Sequence, residues 1–108
     1  MKKTVAANPD HVQELFLLAE NTEILYNRYF FPRGENLQKK IRKGVFDREL
    51  AIKALTADMA EVAKYYHKRW GGGARWFDVF SVADRVAAAA EYLDSHIYDW
   101  RREVSEER

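Results

Sequence analysis

With 108 residues, a net charge of +1, 47% hydrophobic and 32% charged residues, the chain has the composition of one ordinary globular domain, not a disordered segment. It has no cysteine, which excludes disulfides, thiolate catalysis and Cys-ligated zinc or iron–sulfur centres. No apolar run is long enough to span a membrane, and the run after Lys2-Lys3 stops at Asn8-Pro9, too soon for a secretory leader, so a cytoplasmic protein is expected.

Asn8 and Pro9 predict a helix start, because Asn caps free N–H groups and Pro at the first helical position gives up no hydrogen bond. Val12, Leu15, Phe16, Ala19, Leu25, Tyr26 and Tyr29 then recur at helical spacing as far as Phe31, and Pro32, Arg33 and Gly34 predict the end of this first helix. A shorter second helix is expected over 35–43, with Leu37 and Ile41 inward and Gly44 closing it. Asp47 predicts the N-cap of a third helix, whose stripe is Ile52, Leu55, Met59, Val62, Tyr66 and Trp70, ended by Gly71. Ser81 with Asp84 three residues on predicts a capped fourth helix, its stripe Val82, Val86, Ala89, Leu93, Ile97, Trp100 and Val104.

Alternation of period two is absent over any useful length, so no strand is expected. The fold class predicted is all-α: a single domain over 1–108, a small bundle of three long helices and one short one with antiparallel neighbours. Residues 1–7 and 105–108 are expected to fray.

The stretch RWGGGARWF, from Arg69 to Phe77, is the least ordinary part of the chain. A phosphate-binding loop needs a preceding strand and a Gly-Lys-Ser/Thr sequence, and neither is present. The structural reading is a helix stop and chain reversal, with Trp76, Phe77 and Phe80 folding over the end of the bundle. The functional reading makes Arg69, Trp70, Arg75, Trp76 and Phe77 a partner-binding patch, because Trp and Arg are enriched at binding hot spots.

The charges are segregated. Residues 28–53 carry eight basic residues against three acids, whereas 1–27 and 81–108 are net acidic. Arg33, Lys39, Lys40, Arg42 and Lys43 are the dense part of the basic segment and the candidate nucleic-acid contact; the structural reading makes the last four the wet face of an amphipathic helix. The second helix, Gly44-Val45-Phe46 and the third helix outline a helix-turn-helix, but the would-be recognition end, DRELAIKALTAD, is mixed in charge. Tyr65, Trp70 and Trp76 are available for stacking on single strands.

Catalytic chemistry is not indicated. His96 with Asp99, and His11 with Glu14, are three apart on helices, yet neither pair makes a metal site and no His-Glu-x-x-His is present. Ser81 is explained as a cap, and no Gly-x-Ser-x-Gly elbow occurs. The expectation is no catalytic residue, no metal and no cofactor.

Tyr26, Asn36-Leu37, Lys39-Lys40, Gly44, Phe46-Asp47, Ala51 and Lys53 carry a resemblance to small proteins encoded by bacteriophages and plasmids, over roughly residues 21–66. Those proteins have no assigned function, so the resemblance implies a setting: a bacterial cytoplasm and an accessory gene of a mobile element. With the missing catalytic motifs, it leads to the expectation of a non-catalytic protein that binds a protein partner, including as an inhibitor of a host or defence factor. A nucleic-acid-binding accessory protein is the alternative. Self-association as a homodimer, through the Val86–Val104 stripe or the tryptophan loop, is a third reading.

Overall fold

The computed structural model describes residues 6–70 and 75–97, and their regular secondary structure is all helical, with no strand among them. The elements are α1 (Pro9–Asn21), α2 (Glu23–Leu25), a π-helical stretch (Tyr26–Phe30), α3 (Phe31–Lys43), α4 (Arg48–Trp70), α5 (Trp76–Val79), α6 (Val82–Tyr92) and a second π-helical stretch (Leu93–Ile97). Residues 1–5 and 105–108 of the expected fraying ends, the triple glycine, Asp99, Trp100 and Val104 lie outside the described residues.

The first division of the chain falls elsewhere than the sequence predicts. The break is at Thr22, which is extended at φ −95° and ψ 105°, and the chain is then helical from Glu23 through Pro32 and Gly34 to Lys43. Proline in a helix lacks an N–H and crowds the carbonyl four residues back, here that of Arg28. The turn just before it is widened: the Phe31 N–H donates to the carbonyl of Tyr26, five residues back, so a π-helical turn makes room where an α-turn would clash. Gly34 is an ordinary helical residue; among the described residues a Cβ there would meet only Ile97 Cγ1, at 3.9 Å.

The predicted caps form. Asn8 Oδ1 accepts from the Asp10 N–H at 2.9 Å, and Asp47 Oδ1 accepts from the Leu50 N–H at 3.2 Å. Ser81 and Asp84 complete a reciprocal capping box, the Asp84 N–H donating to Ser81 Oγ and the Ser81 N–H to Asp84 Oδ2, each at 3.0 Å. At the end of α3, Gly44 takes φ 76°, the Gly44 N–H bonds Ile41 O and the Val45 N–H bonds Lys40 O, which is the Schellman pair.

The core joins Leu15 and Ala19 of α1, Leu25, Phe30 and Leu37 of the next helical run, Leu55, Met59 and Val62 of α4, and Phe80, Tyr92 and Leu93. Each large apolar side chain here contributes about 1.5–3 kcal/mol by leaving water. Tyr92, absent from the predicted stripe, is central: its ring lies 4.8 Å from Phe30 and 6.0 Å from Phe16. Burial, with Tyr26 and Glu20 nearby, pushes its hydroxyl up to about 12. Val82 and Val86, predicted inward, are exposed instead; α6 turns Asp84, Ala88, Ala89 and Tyr92 to the core. The capping box and the Asp84 network described below set that rotation.

Helix directions follow from the contacts between elements. Tyr29 meets Glu61 and Arg33 meets Asp58, so the run from α2 to α3 lies antiparallel to α4. Arg48 meets Asp94 and Tyr66 meets Phe80, so α4 and α6 are also antiparallel. His11 meets Asp84 while Glu20 meets His96, so α1 and α6 run parallel, which the expectation of antiparallel neighbours did not include. α3 and α4 form a helical hairpin tied by Arg33 and Asp58, with a small hollow between Asn36, Lys40, Leu50 and Ala54.

Candidate functional site

The sequence-predicted patch divides into two kinds of residue. Trp76 is half-buried and packed against the core, its ring held between Lys64 at 5.1 Å and Arg85 at 5.2 Å. It closes the side of the bundle over α4 and α6. Arg85 is drawn under it so far that its Nε is buried with no hydrogen-bond partner among the described residues.

Trp70 and Phe77, by contrast, are 57% and 44% exposed. Trp70 rests one edge on Tyr66 (ring centroids 5.1 Å), which itself packs on the buried Phe80 at 5.0 Å. Phe77 stands at right angles to Trp76 at 5.6 Å. The basic partners are ordered by these rings: the Arg69 guanidinium lies 5.0 Å over Tyr65, and that of Arg75 lies 4.8 Å over Phe77 while its Nε bonds Asp78 at 3.0 Å. The C-terminal end of α4 and the short α5 thus present two exposed rings and two arginines, each with its guanidinium carbon within 5.0 Å of a ring centre.

A second feature adjoins this end. Between α2 with its π-helical continuation and the C-terminal half of α4 runs an open groove of about 410 Å³. Arg28, Lys64, Lys68 and Arg69 line it, with Tyr29, Tyr65 and Ile24, against Glu61 as the single acid among the described residues. Of these only Arg69 was singled out from the sequence as a patch residue. The signal that could have found the rest is Lys64 and Lys68, four apart, hence on one helix face beside Tyr65.

The basic segment of α3 does not form one surface. Arg33 is taken up by Asp58, donating from Nε at 2.9 Å and from a terminal nitrogen at 3.2 Å to a carboxylate that is almost fully buried. Burial pushes the Asp58 carboxyl up and outweighs the lowering by Arg33; the same contact raises the guanidinium further. Lys39 and Arg42 line a hollow of about 470 Å³ with Tyr26, Phe31 and His96. Lys40 faces another hollow, beside Val45, Asp47 and Leu50. Lys39, Lys40, Arg42 and Lys43 are exposed and make no ion pair among the described residues.

The histidines are engaged with helix neighbours. His11 Nδ1 lies 2.9 Å from Asp84 Oδ2, and His96 Nε2 lies 2.8 Å from Glu20 Oε2 with its ring stacked on Phe16 at 5.5 Å. His11 makes its contact with Asp84 and not with Glu14, Asp99 lies outside the described residues, and no group of three or more metal-ligating side chains occurs among the described residues. Burial alone would push the Asp84 carboxyl up, but the N–H groups of Asn8 and Ser81, with His11 and the Ser81 hydroxyl, hold it below the usual carboxylate range. No described helix is long and apolar enough to cross a membrane.

No family model matches the chain, and neither a curated protein nor a solved structure is similar to it.

Proposed function

We propose that this is a non-catalytic binding protein that engages a protein partner through the C-terminal end of α4 and the start of α5. The observation that carries the reading is the exposure of both Trp70 and Phe77, each close to an arginine in the chain and each resting on a ring, Tyr66 or Trp76, that packs against the core. Large exposed rings with ordered guanidinium groups match the composition of interface hot spots, and their support through Tyr66 and Trp76 lowers the entropy cost of binding. The resemblance of its central segment to phage and plasmid proteins suggests a bacterial host component, a defence factor included, as the partner. The test is affinity capture from bacterial lysate with nuclease present, comparing the wild type with Trp70→Ala and Phe77→Ala. A partner held by the wild type and lost by both variants supports the reading; one retained by both refutes it.

A second reading has its own support. Lys39 and Arg42 are unpaired among the described residues and stand beside the exposed rings of Tyr26 and Phe31, a pairing of cations and aromatics that suits a single-stranded nucleic acid. It requires gel-shift affinity that falls steeply with salt and with Lys39→Gln and Arg42→Gln.

A further inference from the structure

We infer that the groove between α2 with its π-helical continuation and the C-terminal half of α4 receives an acidic segment of a partner protein. Its carboxylates would meet Arg28, Lys68 and Arg69, and its aliphatic side chains Ile24. The inference rests on the reading of the α4 end as a protein-contact surface and names the chemistry of what binds there.

Three observations carry it. The first is charge: four cations line the groove against Glu61, and Lys64 alone of the four is paired with that acid, at 3.3 Å. Arg28, Lys68 and Arg69 make no ion pair among the described residues. The second is preorganisation. The Arg69 guanidinium lies 5.0 Å over Tyr65 on the α4 side, and that of Arg28 lies 5.9 Å over Tyr29 on the opposite side. A guanidinium resting on a ring keeps its in-plane N–H donors outward, the geometry that grips a carboxylate with two bonds. The third is an apolar foothold: Ile24, 61% exposed, lines the groove.

The same features favour a peptide over a nucleic acid. Tyr29 and Tyr65 each already carry an arginine on the ring, which leaves less face for a base to stack on. Glu61, bonded by the Tyr29 hydroxyl at 3.5 Å, sits within the groove, where it can accept a backbone N–H that a peptide has and a phosphate chain lacks. An aliphatic edge at Ile24 suits leucine or isoleucine side chains, not sugars.

The experiment is a fluorescence-anisotropy titration of the full chain against a labelled synthetic peptide of alternating Glu/Asp and Leu. A Gln/Asn counterpart and a single-stranded oligonucleotide of equal charge serve as comparison probes. The expected result is binding of the acidic peptide alone, weakened by salt, with affinity reduced at least about tenfold by Arg28→Gln with Arg69→Gln, because each removes a charge-assisted contact. Charge reversal, Arg28→Glu with Arg69→Glu, is expected to abolish that binding and to admit a Lys/Leu peptide; both variants change exposed side chains, and circular dichroism checks their fold. Equal binding of the Gln/Asn peptide, unchanged affinity in the glutamine variant, or tighter binding of the oligonucleotide overturns the inference. The titration needs no natural partner, so its failure removes the acidic segment and leaves the wider reading to the Trp70 and Phe77 variants.

Discussion

Arg33 and Asp58, twenty-five positions apart, close a two-pronged ion pair that fastens α3 to the middle of α4, with the carboxylate almost fully buried and the guanidinium about a third exposed. A buried carboxylate stripped of its cation keeps the cost of desolvation and loses the compensation. Arg33→Ala is therefore expected to destabilise the fold by about 2–3 kcal/mol, below the range of about 3–5 kcal/mol for a fully buried pair because the arginine is partly in water. Replacing both partners with apolar residues of similar size, Arg33→Met with Asp58→Leu, is expected to recover most of the loss. Urea unfolding midpoints measure both, and a double variant as unstable as the single one would show that the pair is not the cause.

How much of this was legible in the sequence depends on whether the signal was local. Caps are local, and Asn8, Gly44, Asp47 and Ser81 each do what their positions predicted. The core stripe of α4 is also local in origin, and Leu55, Met59 and Val62 are buried as expected. The failures are tertiary. Pro32 reads as a helix stop because the π-helical turn that accommodates it leaves no composition signal. Val82 and Val86 are as apolar as any core residue, yet the Asp84 network turns α6 so that they face out. Arg33 reads as part of a basic run because its partner lies a whole helix away. The cationic groove was hidden for the same reason: Arg28 and Lys68 belong to different helices and become neighbours only when the hairpin closes.

The two glycines of the α3 region make a paired prediction of opposite sign. Gly44 sits at φ 76°, and a Cβ there meets nothing within 4 Å among the described residues, so Gly44→Ala is expected to carry the left-handed backbone penalty, about 1 kcal/mol of lost stability. Gly34 is helical, and a Cβ there would make ordinary contact with Ile97, so Gly34→Ala is expected to gain about 0.5–1 kcal/mol from helix propensity. Thermal or urea denaturation of the two variants side by side decides it; a loss at Gly34 would contradict the continuous helix through Pro32.

Asp84 gathers the start of α1 and the start of α6 by accepting from the Asn8 N–H at 2.8 Å, from the Ser81 N–H, and by contact with His11. Its folded pKa is lowered from 3.8, so its stabilisation is complete above that value and is lost as pH falls through the lower folded pKa. Asp58 has the opposite sign: its pKa is raised, so ionising it costs stability as pH rises through the folded value. Asp84→Ala, which leaves two backbone N–H groups without their acceptor, is expected to cost about 1–3 kcal/mol at neutral pH. Asp84→Asn keeps an acceptor but cannot titrate, so its stability is expected to fall less than that of the wild type on going below about pH 4. Equal acid sensitivity in the two proteins would assign the acid limb to other carboxylates.

Trp70, Trp76 and Phe77 separate by what each loses on truncation. Trp76 packs against the core with a cation on its ring from either of two helices, so Trp76→Ala is expected to cost about 1–3 kcal/mol. Trp70 and Phe77 bury much less, and alanine at either is expected to change stability by no more than about 0.5–1 kcal/mol. Their removal should show in binding instead, through a faster release of the captured partner, because hot-spot truncation acts mainly on dissociation. Urea unfolding supplies the first comparison and surface plasmon resonance the second. A Trp70→Ala protein that unfolds as easily as Trp76→Ala would mean that Trp70 belongs to the packing of the bundle, and the proposed contact surface would lose its principal anchor.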